Sequence, residues 1–289
     1  FKLAILAFVC LQVYCCFRLL KGLLARYVRF FKAQLKEQVH RLSASKNLPR
    51  ECKHPSRECK DEWFTQGFCI VTGATSGIGR EVAKELGRRG AQVIVTSRRM
   101  GRAMKECKKL AAEFGRGETF TPMELDLTDI SSIRLFVEFV EKEKWPIRLL
   151  VNCAGIAKTS NLRTIQWTNF LGPAILTRAL FDYLQAPARV ITLSSSAHYL
   201  GVRNTIEVIS GLKSPFQAYA DAKLNLTTYM HFLSCTTVDG VHLASVDPGF
   251  VATNFYGCDG DKDKPWQLKF LGLWQRLLAK SPRQGALDV

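Results

Sequence analysis

Short apolar runs rich in β-branched residues alternate with helical stretches from Gly67 onward. The runs predict strands at residues 68–72, 91–97, 119–126, 147–152, 188–195 and 241–247. The stretches between them predict helices at residues 78–90, 101–114, 129–144, 170–185 and 217–235, the third with Asp129 as its N-cap. Strands that alternate with helices form right-handed βαβ units. The pattern therefore predicts an α/β fold with a doubly wound parallel sheet and helices on both faces, whose ligands bind beyond the carboxyl ends of the strands.

A glycine-rich turn joins the first predicted strand to the first predicted helix. It reads Thr72-Gly73-Ala74-Thr75-Ser76-Gly77-Ile78-Gly79. Glycines let the backbone turn tightly and approach a pyrophosphate, which the free N–H groups and the dipole of a helix N-terminus stabilise. At this position in a βαβ array, the turn indicates a Rossmann-type dinucleotide-binding domain.

The end of the second predicted strand indicates which dinucleotide binds. NAD-binding folds usually carry an acidic residue about 20 residues past the glycines, where it binds the ribose 2′-hydroxyl. This chain has Ser97-Arg98-Arg99 there instead. A guanidinium can bind a 2′-phosphate bidentately, whereas a carboxylate would repel it. NADP(H) is therefore the expected cofactor, and the alternative is that these are surface arginines of a basic protein.

Further motifs follow the later strands in order. They are Asp126-Leu127 after the third strand, Asn152-Cys153-Ala154-Gly155 after the fourth, Ser195 after the fifth and DPGFVAT (247–253) after the sixth, with Tyr219 and Lys223 in the stretch YADAK. Together with the glycine-rich turn, these motifs resemble the short-chain dehydrogenase/reductase family over residues 67–289. The stretch RVITLSSSAHYLG and the apolar N-terminus most resemble its membrane-anchored retinol-dehydrogenase-like branch, whose members act on lipophilic alcohols and carbonyls.

The resemblance implies an activity and a set of site residues. The activity is NADP(H)-dependent interconversion of a lipophilic alcohol, of retinoid, steroid or polyisoprenoid type, and its aldehyde or ketone. The implied catalytic residues are Ser195, Tyr219, Lys223 and Asn169. The implied cofactor-binding residues are Gly73, Thr75, Ser76, Gly77, Ile78, Gly79, Arg98, Asp126, Leu127, Asn152, Ala154, Gly155, Tyr219, Lys223, Pro248, Gly249, Val251 and Thr253. No metal is expected.

The spacing of Tyr219 and Lys223 has a chemical meaning in this setting. Residues four apart share one face of a helix, and such a pair alone is more often a structural contact than a site. A free tyrosine hydroxyl titrates near ~10, and a nearby cation favours its phenolate. By resemblance, Tyr219 exchanges a proton with the substrate oxygen, and Ser195 hydrogen-bonds that oxygen. Lys223 would bind the nicotinamide ribose, and Asn169 would complete a proton relay, with helix capping as its alternative role.

The N-terminal quarter of the chain differs in composition from the rest. Residues 1–66 hold 13 basic and 5 acidic residues, half of the net charge of +16, beside the apolar run from Leu3 to Phe17. We predict a membrane anchor with a basic amphipathic helix over residues 1–35, a linker over 36–66 and the catalytic domain over 67–289. The anchor could span the membrane or lie in its interface.

Basic residues near a membrane segment bind anionic headgroups and stay on the cytosolic side. The expected partners are therefore membrane lipid and a lipophilic substrate, at the endoplasmic reticulum or another intracellular membrane. No zinc-finger, basic-zipper or RNA-recognition pattern is found, so no nucleic acid partner is expected. A homodimer through the helices at 162–185 and 217–235 is an open expectation.

The ten cysteines do not form a regular pattern. Their spacing does not predict a disulfide framework. Cys15 and Cys16 are interpreted as buried thiols, with acylation as the alternative. Cys52, His54 and Cys59 are three metal-ligand types without a fourth nearby, so this segment is interpreted as part of the linker.

Two departures from the family pattern motivate a second hypothesis. The segment 153–168 is shorter than in relatives, so the helix either changes register or leaves Asn169 misplaced. The sequence ends where relatives continue into another helix–strand unit, which predicts an incomplete domain. The alternative function is therefore a catalytically impaired scaffold that binds a dinucleotide or a lipid at the membrane. An amphipathic helix at 265–280 could either dip into the bilayer or act as a lid packed on the domain.

Overall fold

The computed structural model describes residues 62–114, 119–157, 159, 161–202, 214–236, 240–249, 251, 281–286 and 289. Its sheet contains six strands, which are β1 (Phe68–Val71), β2 (Gln92–Ser97), β3 (Phe120–Glu124), β4 (Ile147–Asn152), β5 (Leu184–Leu193) and β6 (Val241–Val246). Every neighbouring pair is parallel, in the order β3-β2-β1-β4-β5-β6. The predicted doubly wound parallel sheet is thus confirmed. The order reverses between β1 and β4, which is where such sheets open a crevice for ligands.

Helices connect these strands. They are α1 (Glu62–Thr65), α2 (Gly77–Arg88), α3 (Met100–Phe114), α4 (Ile130–Lys142), α5 (Leu162–Gln166), α6 (Gly172–Leu180), α7 (Pro215–Thr236) and α8 (Pro282–Ala286). A π-helical turn (Trp167–Leu171) joins α5 to α6, and 3-10 turns span Phe181–Tyr183 and Ser196–Leu200. Asp129 caps α4 as predicted, because its carboxylate accepts the Ser131 N–H at 2.9 Å.

Helices cover both faces of the sheet because the strands alternate their side chains between two cores. Cys69 and Val71 of β1 belong to the core that includes residues of α2 and α3. Ile70, between them, belongs to the core that includes residues of α4, α6 and α7. All three side chains are fully buried, so β1 is a continuous apolar strand at the centre of the sheet.

The region before β5 differs from its prediction. The helix predicted at 170–185 starts earlier, at Leu162, and contains the π turn, and β5 begins at Leu184 rather than at residue 188. Leu184 joins the sheet by pairing with Ile147, after which the register shifts before Leu149. This pairing depends on a strand far away in sequence, so local periodicity did not indicate it.

Helix α1 contacts strand β5. The Trp63 indole N–H donates a 3.2 Å hydrogen bond to the Pro187 carbonyl, and the Arg189 guanidinium lies 5.0 Å from the centroid of the Trp63 ring. The last residues of the predicted linker therefore include a helix that contacts the domain. No helix within the described residues is long and apolar enough to cross a membrane. The predicted anchor, the Cys52–Cys59 segment and the helix at 265–280 lie outside the described residues.

Candidate active site

The glycine-rich turn between β1 and α2 has a shape that only glycines allow. Gly73 and Gly77 have φ values of 65° and 56°, in the region that side chains disfavour. A Cβ on Gly73 would lie 2.8 Å from the Ala154 Cα, and a Cβ on Gly79 would lie 2.6 Å from the Gly73 carbonyl oxygen. The turn thus packs directly against the loop after β4, and the N-terminus of α2 faces the space above the strands.

That space is a cavity of about 700 Å³. Sixteen of the eighteen residues predicted to bind a cofactor line it: Gly73, Thr75, Ser76, Gly77, Ile78, Gly79, Arg98, Asp126, Leu127, Ala154, Gly155, Tyr219, Lys223, Pro248, Gly249 and Val251. The lining comes from the carboxyl ends of all six strands and from α7. One cavity therefore collects motifs that lie as far apart in the sequence as Gly73 and Val251.

Two of the eighteen predicted cofactor-binding residues, Asn152 and Thr253, are not among the lining residues. The Asn152 side chain does not line the cavity, because its amide donates to the hydroxyls of Thr177 and Thr192 at 3.0 and 3.3 Å, inside the fold. Thr253 lies outside the described residues.

Tyr219 and Lys223 are both buried on α7, and both line the cavity. The Lys223 Nζ lies 5.8 Å from the centroid of the Tyr219 ring and donates a 2.6 Å hydrogen bond to the Leu193 carbonyl. Burial lowers the pKa of Lys223 to about 8, while Cys153 and Asp247 act in the opposite direction. The ammonium is thus held at a fixed place beside the phenol ring.

The three serines after β5 have different surroundings. The Ser194 hydroxyl is 2.7 Å from the Thr227 hydroxyl of α7, and Ser196 is buried. Ser195 is the N-cap of the 3-10 turn, and its hydroxyl accepts the Ala197 N–H at 3.2 Å. Ser194 and Ser195 line the cavity with Tyr219, and Ser196 is not among the lining residues.

Asn169 lies inside the π turn and does not cap a helix. Its side chain is fully buried, accepts the Ile156 N–H at 3.0 Å, and donates to the carbonyls of Ile156 and Ile165 at 2.7 and 2.9 Å. The amide therefore holds the loop 153–157, which lines the cavity, although Asn169 itself is not a lining residue. The expectation that the short segment either changes the helix register or misplaces Asn169 relative to the family stays a prediction.

The π turn also changes the backbone pairing near the cavity. The Gly172 N–H bonds to the Trp167 carbonyl, five residues back, instead of to Thr168. Pro173 has no N–H, so it cannot donate a hydrogen bond to the Thr168 carbonyl, which is the next one along the π turn. The Thr168 hydroxyl is buried, has no hydrogen-bond partner, and belongs to a residue that lines the cavity. π turns often occur at functional sites.

The end of β2 brings basic side chains to the cavity. Arg98 and Arg102 are exposed and line it, while Arg99 is exposed but does not line it. Asp126, across from them, is occupied by its own turn, since its carboxylate accepts the N–H and the hydroxyl of Thr128 at 2.8 and 2.7 Å. The arrangement fits an anionic group at the end of β2.

Several lining residues were not predicted from the sequence. They are Thr72, Thr96, Ser97, Arg102, Leu125, Cys153, Ile156, Ala157, Thr168, Leu193, Ser194, Asp247 and Pro282. Arg102 had a local signal, because it is a further basic residue close to Arg98 in sequence and lies in the first turn of α3. Pro282 had no local signal, since α8 reaches the cavity only through tertiary packing, with Gly285 against Val251 and Ile78.

A parallel sheet of this order with a glycine-rich turn at its crevice is typical of dinucleotide-binding folds. The Tyr–Lys pair in the same cavity indicates the oxidoreductase class of such proteins. The family model described as short chain dehydrogenase matches residues 68–262. The chain therefore belongs to the short-chain dehydrogenase/reductase family, in its retinol-dehydrogenase-like branch.

Relatives in this branch cover most of the chain. Human polyprenol dehydrogenase is 34% identical over 237 residues, covering 75% of this chain and 69% of the relative. Mouse retinol dehydrogenase 11 is 33% identical over 228 residues, covering 75% and 70%. Among solved structures, a short-chain dehydrogenase/reductase from Caenorhabditis elegans with cofactor aligns with a TM-score of 0.63 at 22% identity, over 78% of this chain and 87% of that one. At this identity the likeness shows the fold alone.

Proposed function

We propose that the chain is an NADP(H)-dependent oxidoreductase that interconverts a lipophilic alcohol and its aldehyde or ketone. The observation that carries the proposal is that Ser195, Tyr219 and Lys223 line the same cavity as the glycine-rich turn and Arg98. The names of the relatives, polyprenol and retinol dehydrogenases, support an alcohol with a long apolar chain as the substrate class.

The residues present fit a dinucleotide. Gly73 and Gly79 pack too closely against Ala154 and the turn itself to carry a side chain. The free N–H groups at the N-terminus of α2, which faces the cavity, would bind the pyrophosphate. Arg98 and Arg102 would hold a 2′-phosphate at the end of β2, and Lys223 would hold the nicotinamide ribose. When bound, the nicotinamide supplies a hydride for carbonyl reduction, or accepts one in alcohol oxidation.

The chain's own residues would manage the proton and the geometry. Tyr219 would pass its phenolic proton to the carbonyl oxygen during reduction, and take a proton from the alcohol during oxidation. The Lys223 ammonium favours the phenolate that remains. Ser195 would donate a hydrogen bond to the same substrate oxygen and so orient it. Asn169 would support the site by holding loop 153–157, and its part in a proton relay stays a proposal.

The proposal extends to the membrane. The basic, apolar segment 1–35 would attach the protein to the endoplasmic reticulum or another intracellular membrane, with the catalytic domain in the cytosol. A full-length protein that is extracted from microsomes by alkaline carbonate, without detergent, would refute an integral anchor. A homodimer would be detected by light scattering of the detergent-solubilised protein.

The test is NADPH consumption by membrane-bound protein with retinal, steroid ketones and polyisoprenoid aldehydes. We expect turnover with at least one class, and Tyr219→Phe should abolish it while NADPH still binds, because only the phenolic hydroxyl is removed. Unchanged turnover in Tyr219→Phe would refute the assigned proton donor. Tight NADPH binding without turnover of any carbonyl would favour the impaired scaffold instead.

A further inference from the structure

The loop that carries Ser195 lies along helix α7, which also carries Tyr219. At the start of the loop, Lys223 bonds to the Leu193 carbonyl at 2.6 Å, and the Ser194 hydroxyl is 2.7 Å from a hydroxyl of α7. Ser195 follows directly. Helix α7 therefore fixes the point at which the loop leaves β5.

The far end of the same loop is held by two other side chains of α7. The Asp221 Oδ1 accepts the Val202 N–H at 2.6 Å and the Gln217 Nε2–H at 2.8 Å. The Gln217 amide also donates to the Leu200 carbonyl at 3.1 Å. Asp221 is fully buried, and a buried carboxylate is stable only when such donors satisfy it.

Between these ends the loop is internally bonded. The Ser195 carbonyl accepts the His198 N–H at 2.9 Å, and the His198 carbonyl accepts the Gly201 N–H at 3.1 Å. Gly201 lies so close to α7 that a Cβ there would be 2.6 Å from the Ala220 carbonyl oxygen. A shift of the loop at Val202 would therefore be transmitted along the 3-10 turn to Ser195.

We propose that Asp221, together with Gln217, is a positioning residue that sets the Ser195 hydroxyl relative to Tyr219. The inference rests on the proposed function, because it assigns a task to Ser195. Asp221 and Gln217 lie on α7, the helix that also carries Tyr219. The positions of Ser195 and Tyr219 are therefore both fixed by the same helix. A displacement of about 1 Å in a reacting group can reduce turnover about 100-fold. Loss of the bonds from Asp221 and Gln217 to the serine loop should therefore lower turnover measurably.

The kinetic test uses a double-mutant cycle. Asp221→Ala should lower kcat about 10- to 100-fold, with NADPH affinity within about 3-fold, because the loop moves and the cofactor-binding turn does not. Asp221→Asn should keep most of the activity, since its amide oxygen still accepts both donors. In a Ser195→Ala background, Asp221→Ala should cause little further loss. An equal fold loss in both backgrounds would overturn the inference.

A second test does not depend on turnover. Amide hydrogen exchange at Ala197 and His198 in the full-length protein should become about 10-fold faster in Asp221→Ala. Met230→Ala, a buried position on the same helix, is the control for general destabilisation and should not accelerate exchange selectively there. If Asp221→Ala does not fold, Gln217→Met removes the amide donors and carries the same test. Unchanged exchange at both amides would overturn the inference, whereas faster exchange in a protein with no carbonyl reductase activity would refute only the proposed function.

Discussion

The Lys223 ammonium donates a 2.6 Å hydrogen bond to the Leu193 carbonyl, and so joins helix α7 to the last residue of β5. The same ammonium lies 5.8 Å from the centroid of the Tyr219 ring. One cation therefore connects the strand that precedes the serine loop with the helix that carries the tyrosine. Because the charge is buried, it also has a cost for folding.

That cost predicts a pH-dependent stability. Burial lowers the pKa of Lys223 from 10.5 to about 8. Between these pH values the unfolded chain binds this proton and the folded chain does not, so the contribution of Lys223 to the free energy of unfolding rises with pH. Lys223→Met should therefore be more stable than the wild type below pH 8, by roughly 1–3 kcal/mol, and the difference should shrink toward pH 10.5.

The measurement is urea unfolding of both proteins from pH 6.5 to 10.5. Lys105→Met removes an exposed lysine and is the control, for which we expect no such trend. A difference between Lys223→Met and the wild type that does not change with pH would contradict the assignment.

Arg98 should determine the choice of cofactor. Arg98→Asp places a carboxylate where a 2′-phosphate would bind, so the ratio of kcat/KM for NADPH to that for NADH should fall about 10- to 100-fold, as expected for loss of a charged hydrogen bond. Arg99→Asp is the matched control, because this neighbour does not line the cavity. An equal change of this ratio in both variants would show that it depends on the overall charge of the surface and not on Arg98 itself.

Gly172 should not tolerate a side chain. A Cβ there would lie 2.2 Å from the Leu127 carbonyl oxygen, which is backbone and cannot rotate away. Gly172→Ala should destabilise the protein by about 3 kcal/mol or more through overpacking. Gly101→Ala is the control, since no atom lies within 4 Å of its Cβ and alanine favours a helix by up to about 1 kcal/mol. Thermal unfolding should thus shift in opposite directions for the two variants.

Asn169 should matter for folding as well as for the site. Asn169→Ala leaves the Ile156 N–H, the partly buried Ile156 carbonyl and the buried Ile165 carbonyl without this partner, which should cost about 2–4 kcal/mol. Asn161→Ala removes an exposed N-cap bond to the Thr164 N–H and should cost only about 1 kcal/mol. Urea unfolding measures both, and NADPH affinity should fall only in Asn169→Ala. Equal losses of stability would contradict the role of Asn169 in holding loop 153–157.

The fold was predictable because its signals are local. The alternation of apolar runs gave the six strands, and Asp129 was identified as an N-cap from its place before an amphipathic segment. The prediction of a helix at 170–185 was wrong at both ends, because the π turn and the early start of β5 depend on contacts with Ile156 and Ile147. Such contacts produce no periodic pattern of apolar residues in the sequence.

The site, like the fold, could be predicted from the sequence only where its signals are local. Ordered motifs after successive strands determined that the glycine-rich turn, Ser195, Tyr219 and Lys223 would lie at one edge, because parallel strands end on the same side of a sheet. Which side chains face the cavity was decided only by tertiary structure. Asn152 turns inward to two threonines, Arg102 and Pro282 reach the cavity, and Asp221 bonds to the serine loop. The order of the strands and helices follows from local sequence patterns, whereas the direction of a side chain depends on the residues that pack around it.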